Sequence, residues 1–120
     1  MLSIFPTLYT QQLEETVHYY RDVLGFVIDD HTEEWGSCFA RRDGVELMLA
    51  LPNEHIGFDG PSFTGSIYIR CTGVVELWEA YRKKVKVAYS IEDFDYGMRE
   101  FAIYDNNGYM LQFGEIISEV

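Results

Sequence analysis

Two short runs mix carboxylates with aromatic rings: Asp29, Asp30, Glu33, Glu34 and Trp35, then Glu92, Asp93, Phe94, Asp95 and Tyr96. A ring face beside carboxylates attracts a planar cation through stacking, cation–π and Coulomb terms. The same runs would also serve as solvated acidic loops, the ordinary role of such stretches. Other chemistry is sparse. His18 falls on a helix surface, His31 at a strand end and His55 in a Pro/Gly-rich segment. There is no G-x-S-x-G elbow, no phosphate-binding loop and no cysteine beside a recognisable histidine base. Cys38 and Cys71 have neither metal-like spacing nor a disulfide framework. They read as buried thiols in a reducing cytoplasm.

Charge narrows the partners. Lys and Arg total 9 and Asp and Glu total 20, giving a formal net charge of −11. Such a chain repels phosphate, which opposes nucleic-acid binding, and attracts metals, amines and cationic drugs. At 120 residues it fits a single domain with its own core. A hydrophobic share of 48% with 16% aromatics argues against disorder. No apolar run approaches the roughly 20 residues of a membrane span. Pro6, Gln11 and Gln12 interrupt any secretory-type start. These features imply a cytoplasmic protein without a membrane partner.

The elements that must position the acidic and aromatic groups repeat. YRDVLGFVIDDHTEEWG starts at Tyr20, and YRKKVKVAYSIEDFDYG starts 61 residues later at Tyr81. Tyr20/Tyr81, Arg21/Arg82, Glu34/Asp95, Trp35/Tyr96 and Gly36/Gly97 align without a gap. Two copies are too few for a solenoid and imply a duplicated module closed by pseudo-twofold symmetry. Alternation predicts strands at Leu2–Tyr9 and Thr64–Cys71. Leu13, Val17, Tyr20 and Leu24 make one apolar helix stripe, with Thr10 as N-cap and Gly25 as the left-handed stop. Val74, Leu77, Trp78, Tyr81 and Val85 make the second stripe, with Lys83, Lys84 and Lys86 at its C-terminal end. Further strands are expected at Phe26–His31, Ser37–Arg42 and Val45–Leu51, then Val87–Ile91, Met98–Tyr104 and Tyr109–Glu115. Asp43-Gly44 and Asn107-Gly108 signal hairpin turns. The expected organisation is one domain: repeat one at 1–51, a linker at 52–63 and repeat two at 64–120.

The short first strand, the segment LEETVHYYRDVLGF and the closing YGMREFAIYDNNGYMLQFGE resemble the glyoxalase/bleomycin-resistance/extradiol-dioxygenase (vicinal oxygen chelate) superfamily. The ending REFAIYDNNGYMLQFGE is most similar to the bleomycin-resistance-like branch. The resemblance implies an α+β fold: two βαβββ modules in pseudo-twofold repeat, forming a cupped mixed sheet with helices on the convex side. It also implies a homodimer, with Pro6 at the hinge where an N-terminal strand swaps onto a partner.

Enzymes of that superfamily hold a divalent ion with one side chain from each of four strands. Carried onto this chain, those positions fall at Phe5, at Glu46 or Met48, at Ser66 and at Gln112. Alternation places Glu46 and Met48 on the same face and leaves both open. A phenyl ring, a hydroxyl, an amide and at best one carboxylate make a poor metal site. We therefore expect no metal and no cofactor; a metal, if present, would rest on Glu46 and Gln112. The concave face would then carry Phe5, Glu46, Met48, Ser66, Tyr68, Met110 and Gln112, an aromatic and thioether lining suited to a flat organic ligand. The expected function is non-catalytic binding or sequestration of a planar or cationic small molecule, such as a bleomycin-type antibiotic. Trp35, Phe39, Tyr96 and Met98 would form the rim, Phe5, Met48, Tyr68 and Gln112 the floor, and Glu34, Glu46 and Asp95 the charge. The alternative is a metal-dependent glyoxalase-like lyase or isomerase.

Overall fold

The computed structural model describes residues 2–32, 36–63 and 65–118, with backbone alone at 30–32. Glu33, Glu34 and Trp35 lie outside the described residues, as does Thr64. The chain divides into two compact units, Met1–Pro61 and Ser62–Val120. In the first, β1 (Thr7–Tyr9) leads to α1 (Leu13–His18), then β2 (Val27–Thr32), β3 (Ser37–Arg42) and β4 (Val45–Ala50). The second repeats that order with β5 (Ile67–Arg70), α2 (Val74–Tyr81), β6 (Lys86–Phe94), β7 (Met98–Tyr104) and β8 (Met110–Ile116). Each unit forms one four-stranded mixed sheet, ordered β1-β4-β3-β2 or β5-β8-β7-β6. The first strand of each pairs in parallel with the last, and the other pairings are antiparallel. The class is α+β, built from two βαβββ modules.

Alternation sets the faces. In the second unit Phe101 and Phe113 stack at 5.1 Å and meet Trp78 and Tyr81 of α2 at 5.2 and 5.6 Å. Leu111 and Ile103 are buried on that same side. Gln112 and Glu100 therefore lie on the sheet face away from α2. In the first unit the expected stripe of Leu13, Val17, Tyr20 and Leu24 is buried. Cys38, Ala40, Leu47 and Leu49 are buried on one face of the sheet, while Phe39 and Met48 share the opposite one. Among the described residues no helix is long and apolar enough to cross a membrane.

Several boundaries depart from expectation for local reasons. β1 is shorter than Leu2–Tyr9, because the ladder begins only after Pro6, whose carbonyl accepts the Met48 N–H at 2.9 Å. α1 starts after Gln12, and Thr10 is not its N-cap. The Thr10 hydroxyl instead accepts the Gln12 N–H at 3.0 Å and bonds to the Thr16 hydroxyl at 2.9 Å. Past His18 the helix widens over Tyr19–Val23, where the Leu24 N–H reaches back five residues to Tyr19 O at 3.1 Å. Gly25 then takes φ +79° and ends the helix as expected. α2 stops at Tyr81, so its last turn holds no basic residue; Lys83 and Lys84 follow the helix and Lys86 opens β6. β6 runs on to Phe94, because Asp93 and Phe94 stay paired with Arg99 and Met98. β5 is short, and Cys71 beyond its end is half-buried rather than buried like Cys38. Both predicted hairpin turns form. Asp43 takes φ +53° in the first. In the second the Asp105 carboxylate accepts the N–H groups of Asn107, Gly108 and Tyr109 at 2.8–2.9 Å.

Candidate functional site

Register resolves the positions that the sequence left open. Thr7 pairs with Met48 in the first unit as Tyr68 pairs with Gln112 in the second. Met48, not Glu46, is thus the counterpart of Gln112. Phe5, just before β1, packs edge-on against Phe39 with centroids 5.3 Å apart. Phe39 pairs with Met48. Glu46 is engaged by Arg41, whose Nε lies 3.3 Å from Glu46 Oε1. Arg41 also donates to Asp29 and sits 4.8 Å above the Phe39 ring. This face of the first unit is an aromatic and thioether surface whose carboxylates already share a guanidinium.

The second unit brings together more of the expected residues, around one that the sequence did not single out. Glu100, on β7, is only 1% exposed. Its Oε1 accepts the phenols of Tyr68 at 3.1 Å and Tyr96 at 2.5 Å. Its Oε2 accepts the phenol of Tyr89. The Tyr89 oxygen in turn accepts Gln112 Nε2 at 2.8 Å, and Gln112 Oε1 accepts the Ser66 hydroxyl. Every bond in this chain runs from hydroxyl or amide toward the carboxylate, which is an acceptor only. No basic side chain pairs with Glu100 among the described residues. Tyr89, Glu100 and the ion-paired Arg41 are the site residues that sequence reasoning missed. The available signal was Glu100 as the acid sharing Met98's face on a strand whose other face carries Phe101 and Ile103.

Four strands and one turn deliver these groups. Tyr68 lies on β5 and Glu100 on β7, so the phenol must cross the intervening β8. It does so over Gly114, which pairs with Glu100. A Cβ at Gly114 would lie 2.1 Å from the Tyr68 oxygen and 3.1 Å from Met98 Cε. Tyr96, in the turn after β6, stacks on Phe94 at 5.4 Å and 14°, and Phe94 meets the Tyr89 ring edge-on at 5.9 Å. Met98 is buried beside this cluster, Met110 is half-buried on β8, and Asp95 is exposed in the turn. Asp93, from the same acidic run, is held by Arg99 at 2.7 Å, which lowers its pKa.

Burial first, then the bond to Glu100, raises the pKa of Tyr68 and pushes Tyr89 up to about 12. For Tyr96 the bond to Glu100 is the larger cause of its rise. These phenols stay protonated donors at neutral pH. Burial likewise pushes the Cys38 thiol up to about 11, which removes it as a nucleophile. The positions that the resemblance gives to a divalent ion hold a packed phenyl ring, a thioether and a Ser66–Gln112 pair bonded to each other. That donor set does not fit such an ion. Among the described residues no group of three or more His, Cys, Asp or Glu could hold a metal.

Two outcomes follow. Gly114→Ala forces Tyr68 off Glu100 and should cost about 1–3 kcal/mol in denaturant unfolding. In Gly114→Ala/Tyr68→Ala the loss should be markedly less than additive, because the clash is relieved. The second outcome concerns pH. Phenols with pKa values raised above the unfolded value of about 10 stabilise the fold fully below that pH. The contribution is lost as pH rises through the folded values, about 12 for Tyr89. Tyrosinate absorbance should show a late-titrating class that shrinks in Tyr89→Phe. Simultaneous titration of all phenols at the ordinary value would contradict this.

The fold is widely shared. A family model described as Glyoxalase/Bleomycin resistance protein/Dioxygenase superfamily matches residues 4–113. Among solved structures, TioX from Micromonospora sp. ML1 is similar with TM-score 0.76 at 14% identity, over 98% of each chain. A glyoxalase/bleomycin resistance protein/dioxygenase from Nocardioides gives 0.77 at 16%, over 100% of this chain and 87% of its own. Lactoylglutathione lyase from Agrobacterium tumefaciens gives 0.70 at 20%, over 96% of this chain and 94% of its own. No curated protein is similar enough to match. At these identities the structures speak for the fold alone. With the family model spanning nearly all of the sequence, the chain belongs to the glyoxalase/bleomycin resistance protein/dioxygenase superfamily.

Proposed function

We propose that this protein binds and sequesters a planar or cationic organic molecule of the bleomycin type without transforming it. The observation that carries the reading is the fate of the superfamily's ligand positions. Phe5 and Met48 belong to an apolar aromatic surface, and Ser66 and Gln112 are tied into the hydrogen-bond chain that ends on Glu100. Lewis-acid chemistry needs donors that these side chains do not supply. An apolar surface with few polar groups suits stacking and desolvation of a flat ligand. The net charge of −11 favours a cation and speeds its encounter. Phe5, Phe39, Met48, Tyr68, Tyr96, Met98 and Gln112 are the proposed contacts, with Glu46 and Asp95 contributing charge. Glu34 and Trp35 belong to the same proposal from sequence alone.

The working form in this reading is a homodimer in a reducing cytoplasm. Leu2 and Ile4 support it: they precede Pro6 at 102% and 86% exposure, an apolar arm suited to a second copy.

Calorimetric titration with a bleomycin-class glycopeptide and a planar cationic dye should give saturable heats. Silence with every such ligand at high protein concentration refutes the reading. Dialysis against nickel, zinc and manganese should leave less than stoichiometric metal; a stoichiometric ion would favour a glyoxalase-like lyase instead. Light-scattering mass should equal two chains and fall toward one in Leu2→Asp/Ile4→Asp, whereas a monomeric wild type would contradict the dimer.

A further inference from the structure

We propose that the Glu100 cluster is a subsite for an organic cation that carries N–H donors: an ammonium, amidinium or guanidinium group. The inference deepens the binding role proposed above and rests on it.

The argument is one of hydrogen-bond polarity. The phenols of Tyr68, Tyr89 and Tyr96 all spend their single proton on Glu100. What each phenol oxygen keeps is acceptor capacity. On Tyr89 the Gln112 amide uses part of that capacity. Tyr68 and Tyr96 are 43% and 61% exposed, and neither phenol group is deeply buried. The carboxylate itself has about four acceptor positions, of which Oε1 uses two and Oε2 one. The cluster therefore offers phenol lone pairs in front of a buried negative charge, and no spare hydroxyl proton. An incoming carboxylate or phosphate would meet acceptors and like charge. An N–H cation would meet matching acceptors and the missing countercharge.

Energetics point the same way. A nearly buried carboxylate without a cationic partner is costly, and neutral phenols offset that only in part. In the first unit even the part-exposed carboxylates of Asp29 and Glu46 share a cation, Arg41. The second unit supplies no such group to Glu100 among the described residues. Ring faces are not the principal recognition element. Tyr96 has one face against Phe94, and Phe94 also abuts Tyr89. A quaternary ammonium has no N–H to give the phenol oxygens and would have to rely on the ring faces left open.

The test titrates benzamidinium, benzyltrimethylammonium, benzyl alcohol and benzoate into protein labelled on its tyrosine rings, followed by NMR. Benzamidinium should shift Tyr68 and Tyr96 and bind about tenfold or more tighter than the quaternary or neutral probe, with benzoate weakest. Glu100→Gln should lower benzamidinium affinity about tenfold or more. Should that variant fail to fold, Tyr96→Phe, at an exposed position, removes one acceptor and should weaken benzamidinium while leaving benzyltrimethylammonium nearly unchanged. Equal binding of the four probes, preference for benzoate, or affinity indifferent to both substitutions overturns the inference. Running the bleomycin-class glycopeptide on the same variants separates the two claims. Glycopeptide binding with no benzamidinium response leaves the binding role standing and this subsite refuted. Benzamidinium binding at the cluster with no glycopeptide binding upholds the subsite and refutes only the antibiotic class.

Discussion

A carboxylate withdrawn from water, with no cation beside it among the described residues, organises the second unit. Glu100 is 1% exposed, and a charge so placed is tolerated only when its lone pairs are filled. Three phenols occupy most of them, from β5, β6 and the turn after β6. Because side chains alternate along a strand, a one-residue slip in β5 or β6 would turn a phenol to the other face and strand the charge. The network therefore pins register as well as satisfying a buried group. Its narrowest requirement is steric: Tyr68 reaches Glu100 only because Gly114 leaves the space above β8 empty.

The two units show how one scaffold supports different chemistry. Their helix sides agree. Tyr20 and Tyr81, aligned in the repeat, are both buried against a phenylalanine of their own unit. On the other sheet face the equivalent positions diverge. Thr7 and Met48 answer to Tyr68 and Gln112, and Ser37 opposite Ala50 answers to Glu100 opposite Gly114. Packing constrains the first set in both copies, since a core position must be apolar and of fitting size. The second set is free to specialise: one copy holds Asp29 and Glu46 with a guanidinium, the other holds Glu100 with phenols.

Much of the architecture was legible in the sequence, because period-two and helical patterns are local. Ser37–Arg42 and Met98–Tyr104 form where alternation places them, and the helix stripe through Leu24 is buried. Ends were less legible. Thr10 has the chemistry of a cap but stands three residues before the helix and bonds to Thr16 within it, and the lysines after Tyr81 lie past the helix or on a strand. The centre of the site was hidden for a different reason. Glu100 reads as an ordinary exposed acid on a strand, and its partners stand 32, 11 and 4 residues away in sequence. Only pairing across β5, β8 and β7 brings them together. Glu46 and Met48 could not be separated by alternation, which gives both the same face; pairing with Thr7 separates them.

Charge and hydrogen-bond polarity act at different ranges, and the difference orders the steps of recognition. A net charge of −11 draws cations of any shape, but in physiological salt its reach is about 8 Å. Such a field raises encounter rates and discriminates poorly between one cation and another. Discrimination requires groups that act in contact. The phenol oxygens around Glu100 are held with their protons already committed, so they cannot turn to donate to an anion without breaking bonds to a buried charge. That commitment makes the cluster a one-sided acceptor, and it separates an N–H cation from any other molecule the acidic surface collects.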